Sequence, residues 1–504
     1  MLATVPSATL LGVDGLPVVV EVHVSNGIPG FTIVGLPDTS CRESRDRVRA
    51  ALLSSNLPWP VRRVTVNLAP TSLRKVGAGL DLPIAIALMV AADELPVESI
   101  AGLAFVGELG LDGSVRSVTG IVPIVGAIGA PAVVVSHAAA HDAGLVGRHR
   151  IRSVDTLAEL VGALRGELPW PDAPPASAPP VRLAEPDLAE VRSHGFARFA
   201  LEVAAAGHHH LLLVGPPGAG KTMLARRLPG LLPPLDNPEA LEVTRVHSAA
   251  GQALPTGDLI RRPPLRAPHH GASAVAIVGG GSSWIRPGEI SLAHRGVLFM
   301  DELGEFDASV LDSLRQPLEE GVIRVVRAAA RVSFPARFLL MGAMNPCPCG
   351  DGGPPASCRC SDAARSRYHR RLSGPLLDRF DLRVEVTKPD PGELIAGIPG
   401  EPSAAVAKRV AAARQRAVTR GVLANGELSG AQLERCAPLD RAAAKLLDEA
   451  MRRGRLTARG FSRVRAVALT IADLHGSGDL VRPEAVALAL SLRSSLGSMQ
   501  RQVA

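Results

Sequence analysis

The run "LLLVGPPGAGKTMLARRL", which begins at Leu211, constrains the fold more than any other feature of the chain. Apolar residues that read as a strand lead into the pattern G-x-x-x-x-G-K-T from Gly215 to Thr222, and a helical run follows. Strand, glycine-rich loop and helix in that order form a phosphate cradle. Gly215, Pro216, Pro217, Gly218, Ala219 and Gly220 form the loop whose backbone N–H groups curl around β- and γ-phosphates. Lys221 supplies a cation, Thr222 offers its hydroxyl to Mg²⁺, and Met223 continues into the helix. ATP and Mg²⁺ are the expected nucleotide and ion.

Two later strands carry the partners this loop needs. "GVLFMDE" places apolar residues before Asp301 and Glu302, as a buried strand that delivers acids at its C-terminal end. Asp301 is expected to hold the Mg²⁺, and Glu302, outside the metal's ligands, to polarise the attacking water. Asn345, at the end of "FLLMGAMN", is placed to orient that water or sense the γ-phosphate. An ATPase that works as a ring also needs a cation from its neighbour. "SGPLLDRFDL" offers Arg379 for that role, and "LTARGF" offers Arg459 as a second sensor reaching the same phosphates from a helical lid.

Around this core the 504 residues exceed what one hydrophobic core usually serves, and three domains are expected. Residues 1–165 alternate strand-like runs ("PVVVEVHV", "VRRVTVNLA") with helical ones ("DLPIAIALMVAA"), which indicates an α/β domain. Residues 166–187, rich in Pro and Ala, read as a linker. A second α/β unit covers 188–388, and a helical domain covers 389–504. The composition, 46% hydrophobic with 3% aromatic, suits α/β layers.

A net charge of +7 fits an acidic partner such as nucleic acid, and equally fits solvated arginine-rich faces. No basic, apolar leader opens the chain, so a cytoplasmic protein is expected. The uncharged stretch from Ser117 to His137 approaches membrane-spanning length, but Pro123 and Pro131 split it into a short helix and a strand. No membrane contact is expected.

Cys347, Cys349, Cys358 and Cys360 crowd the stretch "NPCPCGDGGPPASCRC", while Cys41 and Cys436 lie elsewhere. Two C-x-C pairs around a Gly/Pro-rich turn can bring four thiolates to one structural Zn²⁺; free thiols and redox pairing are the alternatives. A zinc here would fix the loop leading to Tyr368, Arg370, Arg371 and then Arg379. Histidines at 208–210 and 269–270 are read as packing or DNA contacts rather than ligands, because adjacent residues of a strand face opposite ways.

Taken together, "AAAGHHHLLLVGPPGAGKTMLA", "APHHGASAVAIVGGG", "PGEISLAHRGVLFMDEL", "LRQPLEEG", "AMNPCPCG", "RLSGPLLDRFDL" and "LTIADL" resemble the bacterial AAA+ ATPases of the ComM/YifB type, a magnesium-chelatase-like family. The resemblance covers nearly the whole chain. It implies a homo-hexameric, ATP-driven ring that moves on single-stranded and branched DNA and promotes branch migration in natural transformation. It also implies two DNA-facing elements, an insert around Pro268 to Pro287 and a hairpin "EEGVIRVVRAAARVSF" whose Arg324, Arg327 and Arg331 contact phosphates.

The same resemblance implies a Lon-protease-like N-terminal domain. "KVGAGLDLPIAIALM" has no serine after its glycines, and "VTGIVPIVGAIGA" has Val and Pro where a lysine would lie, so a proteolytically dead domain is expected. Two further departures are Ser193-His194, where Gly-Gln is common, and Leu469, where an arginine is common. The competing readings are a magnesium-chelatase motor subunit driving metal insertion into a porphyrin, and a non-hydrolysing scaffold.

Overall fold

A computed structural model describes residues 1–72, 74–172, 186–281, 285–327, 330–350, 358–397 and 399–493. The fold is mixed α/β, with an N-terminal α/β region, a central P-loop sheet and a C-terminal helical region.

The N-terminal sheet grows from strict alternation. In β1 (Leu2–Leu11) the residues of "LATVPS" are alternately exposed and buried, and β1 pairs antiparallel with β2 (Asp14–Ser25) along its whole length. β3 (Gly30–Val34) and β4 (Arg63–Ala69) complete the order β1-β2-β4-β3. Helix α1 (Thr39–Ser54) is capped by Asp38, which accepts from the Cys41 N–H at 2.8 Å. Helix α2 (Asp81–Ala91) is buried on every side, as its unbroken apolar run requires. A parallel three-stranded sheet of β5 (Leu103–Phe105), β6 (Ala132–Ser136) and β7 (Arg150–Val154) follows. The uncharged stretch from Ser117 to His137 supplies helix α3 (Ile121–Ala127) and β6. Among the described residues no helix is long and apolar enough to cross a membrane.

Asp81 stands at the helix start that follows the glycines of "KVGAGL". Its buried carboxylate accepts from Ser44 and from Arg47 Nε at 2.6 Å. Lys75, fully buried, donates to the Pro70 carbonyl.

The second sheet has the order β9-β10-β13-β8-β14, all parallel: β8 (Leu211–Val214), β9 (Leu265–Arg266), β10 (Val297–Met300), β13 (Leu339–Met344) and β14 (Leu382–Glu385). Its three inner strands are buried throughout, because α-helices cover both faces of a parallel sheet. Helix α4 (Gly195–Gly207) precedes β8, and α5 (Lys221–Ala225) follows the P-loop. Helix α6 (Asn237–Ala249) begins with a reciprocal Asp236–Glu239 capping box.

Between β10 and β13 an antiparallel hairpin of β11 (Val322–Arg327) and β12 (Ala330–Pro335) leaves the sheet. Ile323, Val325, Val332 and Phe334 turn inward. They share one core with Leu10, Val13, Val122 and Val125 of the N-terminal region and with Val246 of α6. The turn at Gly12 is where the close approach shows. Its φ is +65°, and a Cβ there would lie 2.1 Å from Val332 Cγ1. Arg245 of α6 also pairs with Asp14 at 2.9 Å. The hairpin and α6 are thus both seated on the N-terminal sheet.

The stretch expected to be a linker falls mainly on residues 173–185, which lie outside the described residues. C-terminally, helices α7 (Asp362–Arg370), α8 (Ser403–Thr419), α9 (Arg441–Arg452), α10 (Ala458–His475) and α11 (Pro483–Ser491) follow. Helix α10, capped by Thr457 and stopped at left-handed Gly476, runs through their core; Leu469 is fully buried there.

Candidate active site

Parallel strands bring their C-terminal ends to one edge of a sheet, and here three of them end together. β8 runs into the P-loop, β10 into Asp301 and Glu302, and β13 into Asn345. The registers Val214↔Met344 and Met300↔Gly342 align those ends. A cavity of about 430 Å³ results, lined by residues 217–223, Asp301, Glu302, Met344 and Asn345.

Within it, Gly218 and Gly220 take φ of +75° and +83°, values that glycine adopts without strain and that curl the loop. Lys221 is 8% exposed, and its Nζ donates to the Gly215 and Pro216 carbonyls at 2.6 and 2.9 Å and to Asn345 Oδ1 at 3.1 Å. Burial lowers its pKa, opposed by the charges of Asp301 and Glu302. The Thr222 hydroxyl donates to Asp301 Oδ2 at 2.7 Å. A hydroxyl beside a carboxylate is the hard-oxygen pair that Mg²⁺ takes, and a buried ammonium beside backbone N–H groups suits polyphosphate. The donor set therefore fits ATP and Mg²⁺. His194, at the left-handed start of α4, lies against the loop, with Nε2 3.6 Å from where a Cβ on Gly220 would sit.

A second loop lies on the first. The thiols of Cys347, Cys349 and Cys358 stand 3.3 to 3.6 Å apart, and all four Sγ atoms, Cys360 included, lie within 4.8 Å of one another. Disulfide sulfurs would be about 2 Å apart. Tetrahedral thiolates 2.3 Å from zinc would be about 3.8 Å apart, so the cluster fits one Zn²⁺. Gly350 is packed on the P-loop, since a Cβ there would come 2.6 Å from Pro217. Beyond the cysteines, Arg371 Nη1 donates to the Gly304 carbonyl at 2.8 Å and reaches Glu305 at 3.0 Å. The Tyr368 ring packs so tightly on Gly304 that a Cβ there would lie 2.4 Å from it. Arg370 makes a local bond, to the Ser366 carbonyl at 3.2 Å. The cysteine loop thus touches the P-loop directly and, through α7, the turn after Glu302.

Arg379 and Arg459 lie elsewhere, and together. Arg379 precedes β14, at the opposite end of the sheet from the P-loop. It is 4% exposed and pairs with Glu319. Arg459, on α10, reaches the same Glu319 oxygen at 2.7 Å. Arg463, one turn further along α10, donates to the Arg379 carbonyl at 2.9 Å and pairs with Asp381. A larger cavity of about 810 Å³ beside Glu319 and Arg463 contains no P-loop residue and offers phosphates no cradle.

On the hairpin, Arg324 and Arg331 are exposed on the face away from the core, where Arg324 pairs with Glu320. Arg327 ends β11, and its side chain lies outside the described residues. The histidines divide. His208, His209 and His210 lie at the base of β8, His209 buried and the other two partly buried, and burial pushes His209 and His210 down to about 4. His269 and His270 lie beyond the end of β9, not within a strand, and their rings lie against each other, tilted by 35°, with centroids 4.1 Å apart. The expectation that they face opposite ways fails because the strand stops at Arg266.

The description "Magnesium chelatase, subunit ChlI" matches residues 187–394, and the same subunit's C-terminal description matches 400–493. A further description, "Subunit ChlI of Mg-chelatase", covers 20–137. The competence protein ComM of Haemophilus influenzae is 42% identical over 99% of both chains. The Escherichia coli protein YifB is 42% identical over 98% of this chain and 97% of its own. The chain belongs to the ComM/YifB-type, magnesium-chelatase-like family. A magnesium-chelatase 38 kDa subunit from Rhodobacter capsulatus is more distant, at 29% identity over 36% of this chain. Leu469 itself is fully buried in the core of the helical region.

Proposed function

We propose that the chain is an ATP-hydrolysing motor that assembles as a hexameric ring in the cytoplasm and drives branch migration of DNA. The observation that carries the ATPase part is the convergence of Lys221, the Thr222–Asp301 pair and Asn345 on one cavity, with Glu302 at its rim. Lys221 and the loop N–H groups would bind the phosphates, and Thr222 and Asp301 would hold Mg²⁺, which neutralises charge on the β- and γ-oxygens when bound. Glu302 would take the proton of the attacking water, and Asn345 would orient that water. Arg379 and Arg459, gathered on one carboxylate at the far end of the sheet, would serve the adjoining subunit's nucleotide.

The DNA part rests on the family relation to ComM and on the exposed hairpin arginines. The N-terminal region would act as a scaffold that seats the hairpin and α6. A chelatase motor has less support, because the chelatase subunit aligns with only 36% of this chain. The test is strand displacement from a three-stranded DNA by the purified full chain. ATP-dependent displacement is expected; its absence in every nucleotide state would overturn the motor reading.

The four cysteines would hold one structural zinc, a staple between the P-loop and α7. Metal analysis of the purified protein is expected to find about one zinc per chain, and Cys358→Ser should lose it. Metal-free wild-type protein would contradict this assignment.

A further inference from the structure

Of the four clustered cysteines, one faces solvent. Cys347 and Cys358 are buried and Cys360 is partly so, whereas Cys349 is exposed. Its Sγ lies 3.3 Å from that of Cys347 and 3.6 Å from that of Cys358, so an oxidant that reaches Cys349 finds a second sulfur in contact with it. A cysteine sulfur held by zinc is a thiolate, the nucleophilic form. Chain geometry favours Cys358 as the second reactant. Pro348 alone separates Cys347 from Cys349, and its fixed φ opposes closing so small a ring, whereas Cys358 stands nine residues further on.

The loop touches the nucleotide cavity on two sides. Cys347 follows Asn345 by two residues, and Asn345 Oδ1 accepts from Lys221 Nζ at 3.1 Å. Gly350, next to Cys349, is buried against Pro217 of the P-loop. Arg365 of α7 hydrogen-bonds Cys358, and the same helix presses Tyr368 onto Gly304, two residues beyond Glu302. Drawing two sulfurs from 3.6 Å to the roughly 2 Å of a disulfide moves both attachments.

We propose that Cys349 is a peroxide-reactive site through which oxidation slows ATP turnover. Its thiolate attacks one oxygen of hydrogen peroxide: an S–O bond forms, the O–O bond breaks and hydroxide leaves. The Cys358 thiolate then attacks the resulting sulfenic acid at sulfur, which forms the S–S bond, breaks the S–O bond and releases a second hydroxide. Two electrons pass from the two sulfurs to the peroxide, and the zinc site loses two of its ligands and its metal. A dithiol reductant returns the two electrons and restores the thiolates. The proposal rests on the zinc and ATPase readings above.

The experiment uses the full chain carrying Cys436→Ser, which leaves buried Cys41 as the one thiol outside the cluster. Zinc release to a chromogenic chelator, a disulfide map by peptide mass spectrometry and steady-state ATP hydrolysis are followed before and after hydrogen peroxide, then after a dithiol and added zinc. The expected result is about one zinc released per chain, a Cys349–Cys358 disulfide, a kcat lowered on the order of tenfold, and recovery of all three. Cys349→His supplies a zinc ligand and removes the exposed thiol. Its zinc content and its rate, each relative to its own untreated value, are expected to withstand the same dose. Zinc that stays bound in the parent chain, a map without the Cys349–Cys358 bond, zinc loss with kcat unchanged, or a Cys349→His chain as sensitive as its parent would overturn this proposal alone. Reduced protein that carries no zinc would overturn the zinc assignment, and zinc-bearing protein that hydrolyses no ATP would overturn the motor reading, each taking the proposal with it.

Discussion

Arg379→Ala is expected to lower kcat on the order of 10³-fold while leaving ATP binding nearly unchanged. The reason is positional. Arg379 stands at the N-terminal end of β14, whereas the P-loop leaves the C-terminal end of the neighbouring β8. It cannot serve the nucleotide of its own chain without crossing the sheet. Its guanidinium is held under Glu319, shared with Arg459, and its backbone is tied to Arg463. In the proposed ring, such a pair of cations on one carboxylate would keep both heads oriented until a better anion, a phosphoryl group on an adjoining subunit, competes for them. A mixing experiment separates this role from a structural one. Arg379→Ala chains combined with Glu302→Gln chains should regain activity, because some interfaces then pair an intact Glu302 with an intact Arg379. Two inactive populations that stay inactive on mixing would place Arg379 outside a shared site.

Glu302→Gln alone is expected to bind ATP with an affinity close to wild type and to hydrolyse it about 10²–10⁴-fold more slowly. The substitution removes the proton acceptor and leaves Lys221, the Thr222–Asp301 pair and Asn345 undisturbed, since none of them donates to the Glu302 carboxylate. Isothermal binding and single-turnover hydrolysis check the two halves separately. Retained turnover would remove Glu302 as the base, and lost binding would mean that it supports the cavity rather than the chemistry.

How much of this was legible in the sequence depended on range. The P-loop strand, the acids after "VLFM" and the asparagine after "FLLMGAM" could be read because each is a local pattern, an apolar run followed by its chemistry. β1 is not among the strand-like runs read in the sequence, although "LATVPS" alternates, because its partner strand alone identifies it as half of a long antiparallel pair. The Glu319 carboxylate that joins Arg379 to Arg459, the His270–Glu302 contact and the seating of the hairpin on Gly12 were not legible. Each joins segments distant in sequence, and single residues such as Glu319 carry no pattern. For His269 and His270 the sequence misled by one local detail, the early end of β9. The cysteine loop fell between these cases: its spacing pointed to a metal, but only the packing of Gly350 on Pro217 ties it to the nucleotide cavity.

The most direct measurement is the rate of ATP hydrolysis by the purified full chain as single-stranded DNA is titrated in, repeated as salt is raised. A DNA motor that holds phosphates with exposed arginines should hydrolyse faster with DNA, and that stimulation should fall steeply between about 50 and 200 mM salt. A rate indifferent to DNA at low salt, in protein that binds and hydrolyses ATP, would contradict it.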